Sequence, residues 1–139
     1  MKPYELLEHT ADAKFRAYGK TLEEVFANAV KGMTAIVVDP ETVVKDRKIA
    51  ISVEANDLKR LLFEFLDQIL FLTDTQKFLA GMAEDLQITK DNKHYLLNAM
   101  LCGGDIVKYG GNLKAVTYYD MLVEQQTDGT WIIQAVIDI

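Results

Sequence analysis

The chain has 139 residues, half of them apolar and 26% charged, with a net charge of −6 and a pI near 4.9. That length fits one domain able to bury roughly two thirds of its unfolded surface, and the acidity disfavours a bare electrostatic attraction to nucleic acid while favouring a cation or a basic protein partner. A single cysteine, Cys102, excludes an internal disulfide and suits a reducing compartment.

In chain order, residues 4–8 predict a first strand. The turn-like His9-Thr-Ala leads into a second, in which Ala13, Phe15 and Ala17 face the core while Asp12, Lys14, Arg16 and Tyr18 face the other way. Gly19 closes it. Thr21-Leu-Glu-Glu24 is a capping box that starts a helix running to about Ile36, with Leu22, Val25, Phe26, Ala29, Val30 and Met33 on one stripe. Asp39-Pro40 breaks the pattern. Ile49, Ile51 and Val53 alternate through a third strand, and Asn56 or Asp57 caps a second helix whose Leu58, Leu61, Leu62, Phe65, Leu66, Ile69 and Leu70 repeat the helical spacing over about four turns. Phe63 and Phe71 widen that stripe, which predicts an extra packing surface over this helix, either a long loop or a partner.

The remainder reads as strands. Residues 78–89 and 93–102 flank Lys90-Asp-Asn92 as a hairpin, a glycine-bearing loop spans 103–111, and residues 113–124 are joined to the final strand by Thr127-Asp-Gly-Thr130. The order ββαβαββββ predicts a single two-layer α+β domain, with both helices on one face of a mainly antiparallel sheet. The opening Met1-Lys-Pro-Tyr-Glu5 has no apolar run of the kind that predicts a signal peptide, and the richest apolar run, 61–72, is interrupted by Glu64, Asp67 and Gln68. No membrane span and a cytoplasmic location are therefore expected.

Several chemistries lack the residues they need. Cys102-Gly-Gly-Asp105 and Gly110-Gly111 match neither phosphate-loop spacing, and no helix follows them. Two histidines and one cysteine are too few for a Cys/His zinc site; a Cys–His nucleophile pair stays open, without an oxyanion-hole motif beside it. The last nine residues, Trp131-Ile-Ile-Gln-Ala-Val-Ile-Asp138-Ile139, stand out instead: a strand apolar on both faces that holds the Asp138 side chain and the Ile139 main-chain carboxylate close together. Two such groups need a positive partner, whether a Lys or Arg, a helix N-terminus or a hard divalent cation.

His9-Thr-Ala-Asp12, Arg16-Ala-Tyr-Gly19 with its capped helix, Leu61-Leu-Phe-Glu-Phe-Leu-Asp-Gln-Ile-Leu70, Lys114-Ala-Val-Thr-Tyr118 and the final Asp138-Ile139 occur together in this order. Over essentially the whole chain, the sequence resembles the archease family. The resemblance implies a small protein that is not an enzyme and that assists an RtcB-type tRNA-splicing ligase, promoting its guanylylation so that it joins RNA ends repeatedly. An older proposal for the family is modulation of the specificity of a tRNA cytosine methyltransferase. Carried over residue by residue, the family's metal site falls on Asp12, Asp138 and the terminal carboxylate of Ile139, its functionally important lysine on Lys114, and a supporting role behind the ligands on His9. The chain departs from the family's pattern at Tyr119, where histidine is common, and at Ala13-Lys14, where Ile or Val followed by Gly is common.

Three carboxylate donors without sulfur or imidazole select a hard ion, Ca²⁺ foremost with Mg²⁺ or Mn²⁺ as alternatives, the remaining positions being left to water or a partner. Lys114 could aim a cation at a phosphate on that ion. Three function classes follow: a metal-dependent activator of an RNA ligase, a chaperone modulating a tRNA methyltransferase, and a small metal-dependent hydrolase. The first is the expected one.

Overall fold

A computed structural model describes residues 1–7, 12–108 and 113–139 of the protein. Its elements run β1 (Tyr4–Leu7), β2 (Ala13–Gly19), α1 (Leu22–Ala35), β3 (Arg47–Ala55), α2 (Leu58–Gln76), β4 (Phe78–Asp91), β5 (His94–Asp105), β6 (Ala115–Gln125) and β7 (Trp131–Asp138), with short 3₁₀ turns at Pro40–Thr42 and Ile106–Lys108. This is the α+β order ββαβαββββ expected from the sequence.

Local signals account for most boundaries. The Thr21 hydroxyl accepts the Glu24 amide at 3.0 Å, and the Glu24 carboxylate accepts the Lys20 amide at 2.9 Å, so two amides left over at the start of α1 are satisfied. Asp57, rather than Asn56, caps α2 by accepting the Arg60 amide at 2.7 Å. Lys77 ends the same helix in the left-handed region, with φ of 53°. Asn92 turns the β4–β5 hairpin with φ of 57°, a conformation its short polar side chain tolerates.

Every ladder among the described residues is antiparallel. The strands are shared between two sheets, of order β1-β2-β7-β6 and β3-β5-β4, where the sequence suggests one. The physical reason lies in the helices, whose apolar surface exceeds one stripe. Gly32 of α1 lies so close to the Phe15 ring of β2 that a Cβ would come within 2.4 Å of it. Two residues on, the Thr34 hydroxyl donates to the Ala80 carbonyl of β4 at 2.6 Å. α1 is therefore held by both sheets. α2 packs on β6 and β3, and the Phe26 and Phe65 rings, 5.9 Å apart, join the two helices. Phe63 finds its extra cover in Tyr118 of β6, stacked at 4.2 Å and 6°. Phe71 remains 58% exposed.

The glycine-bearing loop expected at 103–111 needs correction at its start. Cys102, Gly103, Gly104 and Asp105 are the last residues of β5, paired with β4 and, at Cys102 and Gly103, also with β3. The glycines serve close backbone approach rather than loop freedom: a Cβ on Gly103 would sit 1.9 Å from the Leu79 carbonyl oxygen, and one on Gly104 would sit 2.6 Å from that of Val44. Gly110 and Gly111 lie outside the described residues. Gly103→Ala is expected to force β4 away from β5 and lower stability by about 2–3 kcal/mol, measurable as a reduced urea midpoint with an unchanged slope.

Candidate functional site

β7 lies between β2 and β6, and the two ladders bring distant parts of the chain to one end of it. Ala13 pairs with Ile137, so the same register carried one residue on sets Asp12 opposite Asp138. On the other side Ala115 pairs with Asp138, and the Lys114 amide donates to the Asp138 carbonyl at 2.8 Å, which sets Lys114 beside Ile139. Asp12, Lys114, Asp138 and Ile139 thus converge at one sheet end. His9 lies outside the described residues.

Strand alternation sorts these residues by face. Phe15, Ala17, Ile133, Ala135 and Ile137 are fully buried against the helices, so Asp138 projects from the opposite, outer face with Lys14, Arg16, Gln134 and Val136; Asp12, in a bend just before β2, would share that face if the alternation ran one residue further. Residues directly opposite in an antiparallel pair hold their Cβ atoms about 5 Å apart, the spacing Asp12 and Asp138 would have if the ladder ran one residue past Ala13 and Ile137. Among the described residues no lysine or arginine forms an ion pair with either; the lysine on their face, Lys14, pairs with Asp120 at 3.3 Å. Nor do three His, Cys, Asp or Glu side chains gather into an ion cage among the described residues. The groups near this end that could hold a cation are the Asp12 and Asp138 side chains and the Ile139 main-chain carboxylate, all hard oxygens of the kind that suits Ca²⁺, Mg²⁺ or Mn²⁺.

Lys114 joins this end through its backbone, while its side chain lies on the helix side. There it lines a groove of about 510 Å³ with Asp67, Leu70, Phe71 and Asp74 of α2. The charge of Lys114 and the two aspartates thus serve opposite faces of the same sheet end.

The outer face carries a polar network that sequence reasoning missed. Gln134, 5% exposed, accepts from Arg16 Nε at 2.8 Å and donates to the Asp120 carbonyl at 2.8 Å. Asp120 belongs to a bulge in β6. Thr117 pairs with Val136 and Leu122 with Gln134, so residues 118–121 stand against Ala135 alone. Tyr119, in the same bulge, is exposed. The available signal was Gln134 itself, a polar residue in the middle of an apolar strand; nothing in residues 113–124 announces the bulge.

The thiol chemistry left open by the sequence finds no support in the geometry of His94. It stands eight positions before Cys102 in the same strand, roughly 27 Å away at the usual rise per residue. Its ring nitrogens lie 3.1 Å from Asn56 Oδ1 and 3.0 Å from Glu54 Oε2. Cys102 is buried, and burial pushes its thiol above the usual range, with Glu84 adding to the effect, the reverse of what a nucleophile requires. No helix among the described residues is long and apolar enough to cross a membrane.

Comparison with known proteins is consistent in one direction. Residues 4–139 match the model of the Archease protein family (MTH1598/TM1083). The archease of Thermococcus gammatolerans is 36% identical over 144 residues and that of Pyrococcus furiosus 37% identical over 143, each alignment covering the whole of both chains. The solution structure of protein 1598 from Methanobacterium thermoautotrophicum superposes with a TM-score of 0.83 over the full length of both chains, at 29% identity. For the network described above, Gln134→Leu strands the Arg16 Nε donor and the Asp120 carbonyl and is expected to cost about 1–3 kcal/mol. Thermal unfolding should report the loss, and Gln134→Glu, which keeps the acceptor for Arg16, should retain part of the stability.

Proposed function

Because the chain belongs to the archease family, we propose that it is a metal-binding, non-enzymatic activator of an RtcB-type RNA ligase, promoting the ligase's guanylylation and its multiple turnover in tRNA splicing. What supports this reading is the register that pairs Ala13 with Ile137 and Ala115 with Asp138, which brings the segments carrying Asp12 and Lys114 to the end of β7 where Asp138 and Ile139 lie. Two carboxylates facing each other across a ladder repel unless a cation lies between them. The described residues offer them no lysine or arginine in ion-pair contact, and a hard divalent ion supplies the missing charge.

In this role Asp12, Asp138 and the terminal carboxylate of Ile139 hold the ion, and three anionic groups leave part of its coordination to water or to a group of the ligase. Lys114, on the helix side of the same end, meets the partner from the groove that Phe71 lines. The net charge of −6 fits a role in which the protein engages a ligase rather than bare RNA. Such a protein works in the cytoplasm alongside the ligase.

Turnover of the ligase tests this reading. Sub-stoichiometric protein is expected to convert a ligase that joins RNA once into one that joins it repeatedly. Asp12→Asn and Asp138→Asn should each lower Mn²⁺ affinity by about tenfold or more and lose the stimulation. A version carrying an amide in place of the Ile139 carboxylate tests the third donor without shortening β7: binding and stimulation equal to those of the unmodified protein would remove Ile139 from the site.

A further inference from the structure

We infer that the Lys14–Asp120 ion pair sets how tightly the Asp12–Asp138 end holds a divalent cation, Lys14 being the chain's own competitor for those carboxylates and Asp120 the group that withdraws it. This rests on the metal-binding reading above and adds a control to the same site.

Lys14 is two residues from Asp12, which immediately precedes β2, at most about 7 Å along the chain, a distance that the flexible four-carbon stem of a lysine can span. Its neighbours across the two ladders are Leu7 on β1 and Val136 on β7, both apolar. The charged groups carried on its face of the sheet among the described residues include Arg16, Asp120 and Asp138, with Glu5 opposite Arg16 on β1 and Glu124 opposite Ile132 on β7; Glu5 is engaged by Lys2 and Tyr18, and Asp120 is the acid in contact with Lys14. Only 18% of the Lys14 side chain is exposed, so its charge is weakly screened and acts on whichever carboxylate it approaches. Its ammonium lies 3.3 Å from Asp120 Oδ2.

That contact requires unusual backbone. Asp120 belongs to β6, and β7 separates β6 from β2. The reach across β7 comes from the bulge at 118–121, where Asp120 adopts φ of 54°, a left-handed conformation that aspartate tolerates better than most residues. The bulge is held by a buried side chain: Gln134 Nε2 donates to the Asp120 carbonyl while Gln134 Oε1 takes Arg16 Nε, both at 2.8 Å. Bulges re-aim side chains, and this one delivers a carboxylate to the lysine nearest in sequence to the paired acids.

A divalent ion and the Lys14 ammonium seek the same oxygens. With Asp120 in place the ammonium is held at the β6 bulge; without it, a change of lysine rotamer brings the ammonium to Asp12 and Asp138. Asp120 therefore acts on the ion through Lys14.

Mn²⁺ binding by calorimetry, with no ligase present, decides the matter. Asp120→Asn is expected to weaken Mn²⁺ binding about fivefold, Lys14→Met to bind at least as tightly as wild type, and the double variant to match Lys14→Met to within about twofold. Restoration by Lys14→Met also shows that Asp120→Asn folds. If wild type binds Mn²⁺ and Asp12→Asn does not, yet Asp120→Asn weakens binding equally in both backgrounds or leaves it unchanged, this inference is overturned while the metal reading stands. If wild type binds no Mn²⁺, or Asp12→Asn binds as well as wild type, the metal reading fails and takes this inference with it.

Discussion

The central position of β7 is the constraint on which the rest depends. It is hydrogen-bonded to β2 on one side and β6 on the other, and Ile133, Gln134, Ala135, Val136 and Ile137 are all buried. A strand with both edges paired and both faces covered has no freedom to shift, because a slip of one residue would drive Ile133, Ala135 and Ile137 out of the core and Gln134 into it. Its last two residues inherit that rigidity. The positions of Asp138 and Ile139 relative to Asp12 and Lys114 follow from two ladders rather than from any contact among those four residues.

The same strand organises charge on the outer face. Asp12 just before β2 and Lys14 and Arg16 within it succeed one another at two-residue spacing, and the two basic residues have different answers across the ladder, Val136 and Gln134. Farther along, Tyr18 donates to Glu5, which is also paired with Lys2. Lys2 and then Tyr18 hold the Glu5 carboxyl below its ordinary range, so the stability it contributes is present above its unfolded pKa and is lost as pH falls through the folded value. Tyr18 is pushed up, first by burial and then by Glu5. Cations are thus engaged at the Glu5 end and by Asp120, and among the described residues no lysine or arginine forms an ion pair with Asp12 or Asp138.

Much of this was legible in the chain. The capping box at Thr21 and Glu24, the helical stripes of α1 and α2, and the Asn92 and Asp128-Gly129 turns are short-range signals, written within a few residues of the structure they specify. The alternation in residues 12–18 and 131–139 likewise gave the face of every residue in β2 and β7. What escaped were features with long-range causes. The division into two sheets depends on α1 being gripped by Phe15 on one side and Ala80 on the other. Gly103 read as loop because a glycine pair resembles a turn, whereas the close approach of the Leu79 backbone is its reason.

By itself the sequence determined the element order, the helix caps, the inward and outward faces of the strands and the identity of the acids at the end of β7, since each depends on local periodicity or on a residue's own chemistry. Tertiary structure alone decided that the segment ending at Asp12 meets the end of β7, that Lys114 turns to the helix side while Asp138 turns away, and that Asp120 crosses over β7 to reach Lys14. Those outcomes are matters of register between strands far apart in the chain, and a register is fixed only when both partners and the core beneath them are assembled.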